Sequence, residues 1–200
     1  MSITNGYCLL TDLKAALSIT DANDDTSLSV IIESASRSID NETGRRFWKS
    51  GSDETRLYTA KDAMKLQIDD LVSVTSIATD YGSRGYGYAW TSSMYDLWPF
   101  NAAYMADPEP YREIRVVPFQ TTYTFPVGVA KGVKIIGLFG WPGVPRLVNQ
   151  ACIQQSLRWF TRLSTPLGSS SMSALGKQTM SIPELDPDVR EMLSTFMRHR

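Results

Sequence analysis

A length of 200 residues, 42% hydrophobic and 20% charged content and a formal charge of −1 fit one ordinary domain, or one domain with an appendage. That balance excludes a strong electrostatic pull toward nucleic acid or a membrane surface. No apolar stretch is long enough to span a bilayer, and the opening Met1-Ser2-Ile3-Thr4-Asn5 does not read as a secretory leader.

The first predicted helix covers residues 11–18. Thr11 reads as its N-cap, and Leu13, Ala16 and Leu17 share a face. The polar turn Thr20 to Asp25 ends it, and Asp24 or Asp25 caps a second helix over residues 25–43. Leu28, Ile31, Ile32, Ala35 and Ile39 recur at helical spacing and give that helix one apolar stripe. Gly44 fits the position that stops a helix, with Arg45 and Arg46 at its negative end.

Residues 47–140 read as β. Short runs at 56–59, 65–68, 72–78, 95–98, 113–117 and 133–139 are rich in β-branched and aromatic residues, with proline and glycine between them. No helical pattern separates them, so antiparallel pairing is predicted rather than βαβ units. Asp69-Asp70 reads as a polar turn between two of these strands. Residues 81–90 form an aromatic, glycine-rich loop in which Arg84, Tyr86, Tyr88 and Trp90 are contact candidates: a protein neighbour, a mobile tip or ligand stacking all fit.

A third helix is predicted over residues 145–163, with Pro145 in its first turn. Leu147, Val148, Ala151, Cys152, Trp159 and Leu163 form its main stripe. Ile153, Leu157 and Phe160 widen the apolar surface beyond what one core needs, which makes Ile153, Leu157, Trp159 and Phe160 candidates for contact between subunits. These segments compose a connector domain over residues 1–163. Residues 164–183 read as a linker and 184–200 as an arm helix, in which Val189, Met192, Leu193, Phe196 and Met197 share a face. An isolated helix this short is marginal in water, so the arm is ordered only when docked, on its own domain or on another chain.

Catalytic and metal chemistry find little support. His199, the only histidine, lies one residue from the end, where no third group can hold it as a base. Cys8 and Cys152 are far apart in sequence and read as buried free thiols. Asp21, Asp24 and Asp25 lack the register of a calcium loop. Gly82, Gly85 and Gly87 lack the lysine and the helix of a phosphate loop. No enzyme, cofactor or metal site is expected.

Four segments together resemble the tailed-phage head-tail connector family, also called adaptor or head-completion proteins, with relatives in prophages and gene transfer agents. They are Leu10 to Asp21, Ile32 to Asp40, Thr43-Gly44-Arg45-Arg46-Phe47, and Gly137 to Pro145 with the helix that follows. The resemblance spans roughly Leu10 to Leu163. It implies a virion protein, assembled in the host cytoplasm, that forms a ring, dodecameric in the family, below the portal protein. Such a ring extends the DNA channel without sequence-specific binding and receives a stopper or other neck or tail protein on its far side. It also implies that the C-terminal arm reaches the portal, with Val189, Met192, Leu193, Phe196 and Met197 as the residues expected to bury there, and no membrane partner. The fold expected is α+β: a small helical bundle with a mainly antiparallel β subdomain inserted between helices 2 and 3, followed by a linker and an amphipathic arm. Another neck or tail protein, such as a stopper or tail terminator, or a β-rich ligand-binding module, are the alternatives.

Overall fold

The computed structural model describes residues 3–163 and 185–198; the linker expected at 164–183, His199 and the start of the arm lie outside them. Two units divide the chain. One joins Met1–Arg45 to Val144–Arg200, and the other is Arg46–Gly143.

The first unit is helical. It contains α1 (Leu10–Leu17), α2 (Asp25–Thr43), α3 (Arg146–Leu163) and α4 (Pro187–Leu193), the last followed by a 3-10 turn at Ser194–Phe196. The stripe Leu28, Ile31, Ile32, Ala35 and Ile39 is buried along its whole length, so hydrophobic periodicity alone placed this face of α2. Gly44 ends α2 at φ 65, the left-handed conformation glycine adopts without penalty, and its N–H bonds the Asp40 carbonyl at 2.9 Å. The capping expectations fare less well. Leu9, not Thr11, occupies the N-cap of α1, and neither it nor Asp24 caps a helix through its side chain. Asp25 instead pairs with Lys14 of α1 at 2.5 Å, so its charge joins two helices rather than starting one.

The second unit is a six-stranded antiparallel sheet. Its strands are β1 (Glu54–Tyr58), β2 (Lys65–Thr79), β3 (Tyr88–Trp90), β4 (Tyr95–Trp98), β5 (Tyr111–Val116) and β6 (Val133–Phe139). The order is β1-β6-β2-β5-β4, with β3 paired to β2. The long β2 organises the rest: its first half pairs with β5, its second half with β6 and its end with β3. Ala60, Leu66, Ile68, Leu71, Ile77, Trp90, Ile114, Val116, Phe125, Val133, Ile135 and Phe139 form one core on this sheet.

Asp69-Asp70 is not a turn. Both residues sit within β2, next to shifts of register with β5 and β6. A shifted register places two consecutive residues inward, and Asp70 and Leu71 are both buried there. Partners make this tolerable, because a buried carboxylate without one is costly. Asp69 meets Arg56 at 2.8 Å and the Tyr58 hydroxyl at 3.2 Å, and Asp70 accepts from the Trp141 indole at 3.2 Å. Gly140 follows β6 at φ 110; a Cβ there would collide with the Trp48 carbonyl, so the Gly-Trp pair can turn the chain only with glycine first.

Candidate functional site

In the helical unit, α3 carries two apolar stripes of different fate. Val148, Ala151 and Cys152 are fully buried, and so are the polar Gln155 and Ser156 that continue the same face. Leu147, assigned to the main stripe by sequence, is instead about half exposed. The second stripe is only half-buried: Ile153, Leu157 and Phe160, with Trp159 beside them, keep accessible apolar surface. Gln155 explains its own burial, since its amide oxygen accepts the Asp186 N–H at 3.0 Å.

That bond belongs to the docking of the arm. Asp186 caps α4 by accepting the Asp188 N–H at 3.0 Å, and Pro187 takes the first turn, where a missing N–H costs nothing. Leu185, Val189 and Leu193 are buried within the unit. Around them, Arg190 pairs with Glu42 at 2.7 Å, Asp186 pairs with Arg158, and the Arg45 guanidinium donates to the Phe196 carbonyl at 2.7 Å. The Arg198 N–H reaches the Thr43 carbonyl at 3.0 Å, an acceptor at the end of α2. Of the five arm residues singled out by spacing, Val189 and Leu193 therefore face inward. Met192, Phe196 and Met197 are half-buried and retain accessible surface.

In the sheet unit, the aromatic loop is more tightly organised than its glycines suggest. The Asp80 carboxylate accepts the Ser83 hydroxyl at 2.6 Å, the Gly82 N–H at 2.6 Å and the Tyr86 N–H at 2.9 Å. These bonds, the Ser83 hydroxyl foremost, hold its carboxyl well below the usual carboxylate range. They also fix Arg84 and Tyr86 in left-handed backbone conformations, at φ 62 and 49. Tyr86 lies under Lys134, 4.6 Å from Nζ to ring centre, and its hydroxyl donates to the Lys131 carbonyl at 2.8 Å. Trp90 leaves the loop altogether. It stacks on Phe125 at 4.9 Å, its indole donates to Thr79 at 3.0 Å, and it belongs to the core. Only Arg84 and Tyr88 of the four loop candidates are exposed.

The larger apolar exposure lies in segments that sequence reading did not single out. Trp98, the last residue of β4, makes an edge contact with Phe100 at 4.8 Å, and beyond the strand Phe100, Tyr104 and Met105 all project outward, Tyr104 at 88% exposure. Phe119 is fully exposed at a positive φ of 72. The signal was available as four aromatic residues between 95 and 104, but strand-like alternation there reads equally well as buried sheet. On β1 the charges are paired. Glu54 bridges Arg46 at 2.6 Å and Arg56 at 2.8 Å. Burial alone would raise the Glu54 carboxyl, but these two guanidinium groups outweigh it and hold it below its ordinary value.

A last grouping joins residues distant in sequence. The sulfurs of Cys8 and Cys152 lie 3.4 Å apart inside the helical unit, with the Ser36 hydroxyl 3.6 Å from Cys152. Hydrogen bonding with Cys8 lowers the Cys152 thiol to about 7 against the effect of burial, and Ser36 adds to this; Cys8 is raised by the same contact and by burial. Among the described residues, no cluster of three or more His, Cys, Asp or Glu is placed to hold a metal ion. No described helix is long and apolar enough to cross a membrane.

Residues 7–82 match the family model described as phage gp6-like head-tail connector protein. The match covers α1, α2, β1 and β2. No curated protein matches the chain significantly. Among solved structures, the chain is similar to one from the neck of an empty gene transfer agent particle. The TM-score is 0.57 at 13% identity, over 100% of this chain and 94% of that one. A chain of the native gene transfer agent virion is similar with a TM-score of 0.54, at the same identity and coverage. At that identity the likeness is one of fold, and it takes in helices and sheet alike.

Proposed function

We infer that this chain, which shares the phage gp6-like head-tail connector family over residues 7–82, works as a structural adaptor in the neck of a tailed-phage-type particle. Copies form a closed ring below the portal, dodecameric as in the family resemblance, and the ring continues the DNA channel and receives a stopper or other neck or tail protein. The observation that carries this reading beyond the family match is the second stripe of α3. Ile153, Leu157, Trp159 and Phe160 keep apolar surface that the described residues of their unit leave accessible. A ring formed by rotation joins two different faces of each copy, so a half-covered helix face is the kind of surface it uses. The arm residues Met192, Phe196 and Met197 serve the portal contact, and Arg84 and Tyr88 with the exposed aromatics after β4 serve a protein neighbour. A net charge of −1 suits a conduit, because DNA that must pass cannot be held by many phosphate contacts.

Point variants test this better than truncation, because the arm is part of the helical unit. Ile153→Asp with Phe160→Asp should leave a folded protein, by circular dichroism, that sediments as a monomer when mixed with portal rings. Met192→Asp with Met197→Asp should fold and self-associate but fail to stay on portal-bearing heads. Normal retention of both variants on heads overturns the assignment of these surfaces. Strong, salt-sensitive duplex binding by the isolated protein contradicts the conduit reading.

A further inference from the structure

We propose that Cys8 and Cys152 are an oxidation site: hydrogen peroxide converts this buried thiol pair into a disulfide that staples the N-terminal segment to α3. The sulfurs are already 3.4 Å apart, so bond formation asks them to approach by about 1.4 Å. The backbone on the Cys8 side is held both to α3, which carries its partner, and to the neighbouring α2. The Tyr7 N–H donates to the Ser36 hydroxyl of α2 at 3.0 Å, and the Asn149 side-chain amide of α3 donates to the Tyr7 carbonyl at 2.8 Å. The two cysteines therefore meet as a fixed pair and not as one of many encounters of a loose end. This inference does not depend on the connector reading, since it uses only the helical unit.

The chemistry divides unequally between the two sulfurs. Cys152, whose thiolate form is favoured by its neighbours, attacks one oxygen of the peroxide; the O–O bond breaks, hydroxide leaves, and Cys152 becomes a sulfenic acid. The Cys8 sulfur then attacks the Cys152 sulfur, the S–O bond breaks, and the second hydroxide takes up the proton that Cys8 releases. Two thiols and one peroxide give one disulfide and two waters. Access controls the rate, because Cys8 is 4% and Cys152 0% exposed. The gate is the strap of residues 3–8. It is held by Thr4 N–H on Glu33 at 2.5 Å, by Arg37 on the Asn5 carbonyl at 2.9 Å and by the Tyr7 hydroxyl on Asp40. Opening that strap uncovers both sulfurs.

The test treats the full chain with hydrogen peroxide and follows free thiols after denaturation, together with peptide mass mapping. The expected product is a monomer in which the peptides of Cys8 and Cys152 are cross-linked and two hydrogens are lost. The bridge closes a very long loop, so the oxidised protein should melt about 5–10 °C higher, and dithiothreitol should reverse the shift. Tyr7→Phe should speed oxidation several-fold at unchanged product, by loosening the strap. Cys8→Ser and, as a smaller replacement, Cys8→Ala should each stop at a Cys152 sulfenic acid that a dimedone probe captures. Two free thiols after prolonged peroxide, a disulfide between two chains, or oxidation of Cys152 past sulfenic acid in the unmutated protein each overturn the proposal.

Discussion

The helical unit and the sheet unit solve the same problem in opposite ways. In the helical unit the segments that could have hung free are drawn back: residues 3–8 are strapped to α2 and α3, and residues 185–198 dock through Leu185, Val189 and Leu193. Its spare apolar surface is a half-buried stripe on one helix. The sheet unit has a closed core but turns large aromatic side chains outward on the segments between strands, at Phe100, Tyr104 and Phe119. The difference teaches that apolar content alone does not mark a contact surface. Trp90 and Tyr88 share one face of a short strand and both touch Tyr123, yet Trp90 is core and Tyr88 stays about half exposed.

That contrast can be broken most forcefully at Trp90. Trp90→Ala removes a stacked, hydrogen-bonded core ring and should cost about 3–5 kcal/mol of stability, read as a lower midpoint in denaturant. Tyr88→Ala on the same strand should cost far less. Equal losses would erase the distinction between core and contact residues on β3. Next in size, Leu193→Ala should cost about 2–4 kcal/mol and raise amide exchange in α4 and the facing part of α3. Exchange unchanged from the parent would mean the arm adds nothing to its own unit. Glu54→Gln should cost about 1 kcal/mol or less, because the Arg46 and Arg56 pairs are partly exposed, and the loss should shrink in high salt.

Acid gives a more local effect. The Asp80 carboxyl is depressed in the folded protein, so its contribution is fully present above the ordinary unfolded value near about 4 and is lost as pH falls further toward the folded value. Amide exchange at Gly82 and Tyr86, corrected for intrinsic rate, should stay protected at pH 5 and rise only in stronger acid. Early loss of protection, around neutral pH, would count against Asp80 as the organiser of this loop. Smallest of all, Tyr104→Ser should change stability by no more than about 0.5 kcal/mol, since the side chain is almost fully exposed. A large loss there would mean the segment after β4 is part of the fold and not a free surface.

The α+β class was legible because its two signals were unusually clean. The α2 stripe is buried residue for residue, and the β-branched runs between helices 2 and 3 do pair antiparallel. What failed to show in sequence shares one cause, a partner far along the chain. Asp69-Asp70 looked like a turn because Arg56 and Trp141, which satisfy the two carboxylates, are distant. Gln155 carries no local sign of burial, because its partner, Asp186, lies 31 residues further along the chain. The Cys8–Cys152 contact joins residues 144 positions apart and has no local signature at all. For the arm, helical spacing gave the apolar face, but only packing separates Val189 and Leu193, which are buried, from Met192, Phe196 and Met197, which keep surface.

The central claim, a connector role in a particle neck, is tested most directly by imaging. Electron microscopy of heads assembled with this chain and the portal, compared with heads lacking it, should show one added ring of identical subunits at the portal vertex, around an open channel. Density for this chain elsewhere on the particle, or no added density at the portal vertex, would contradict the account.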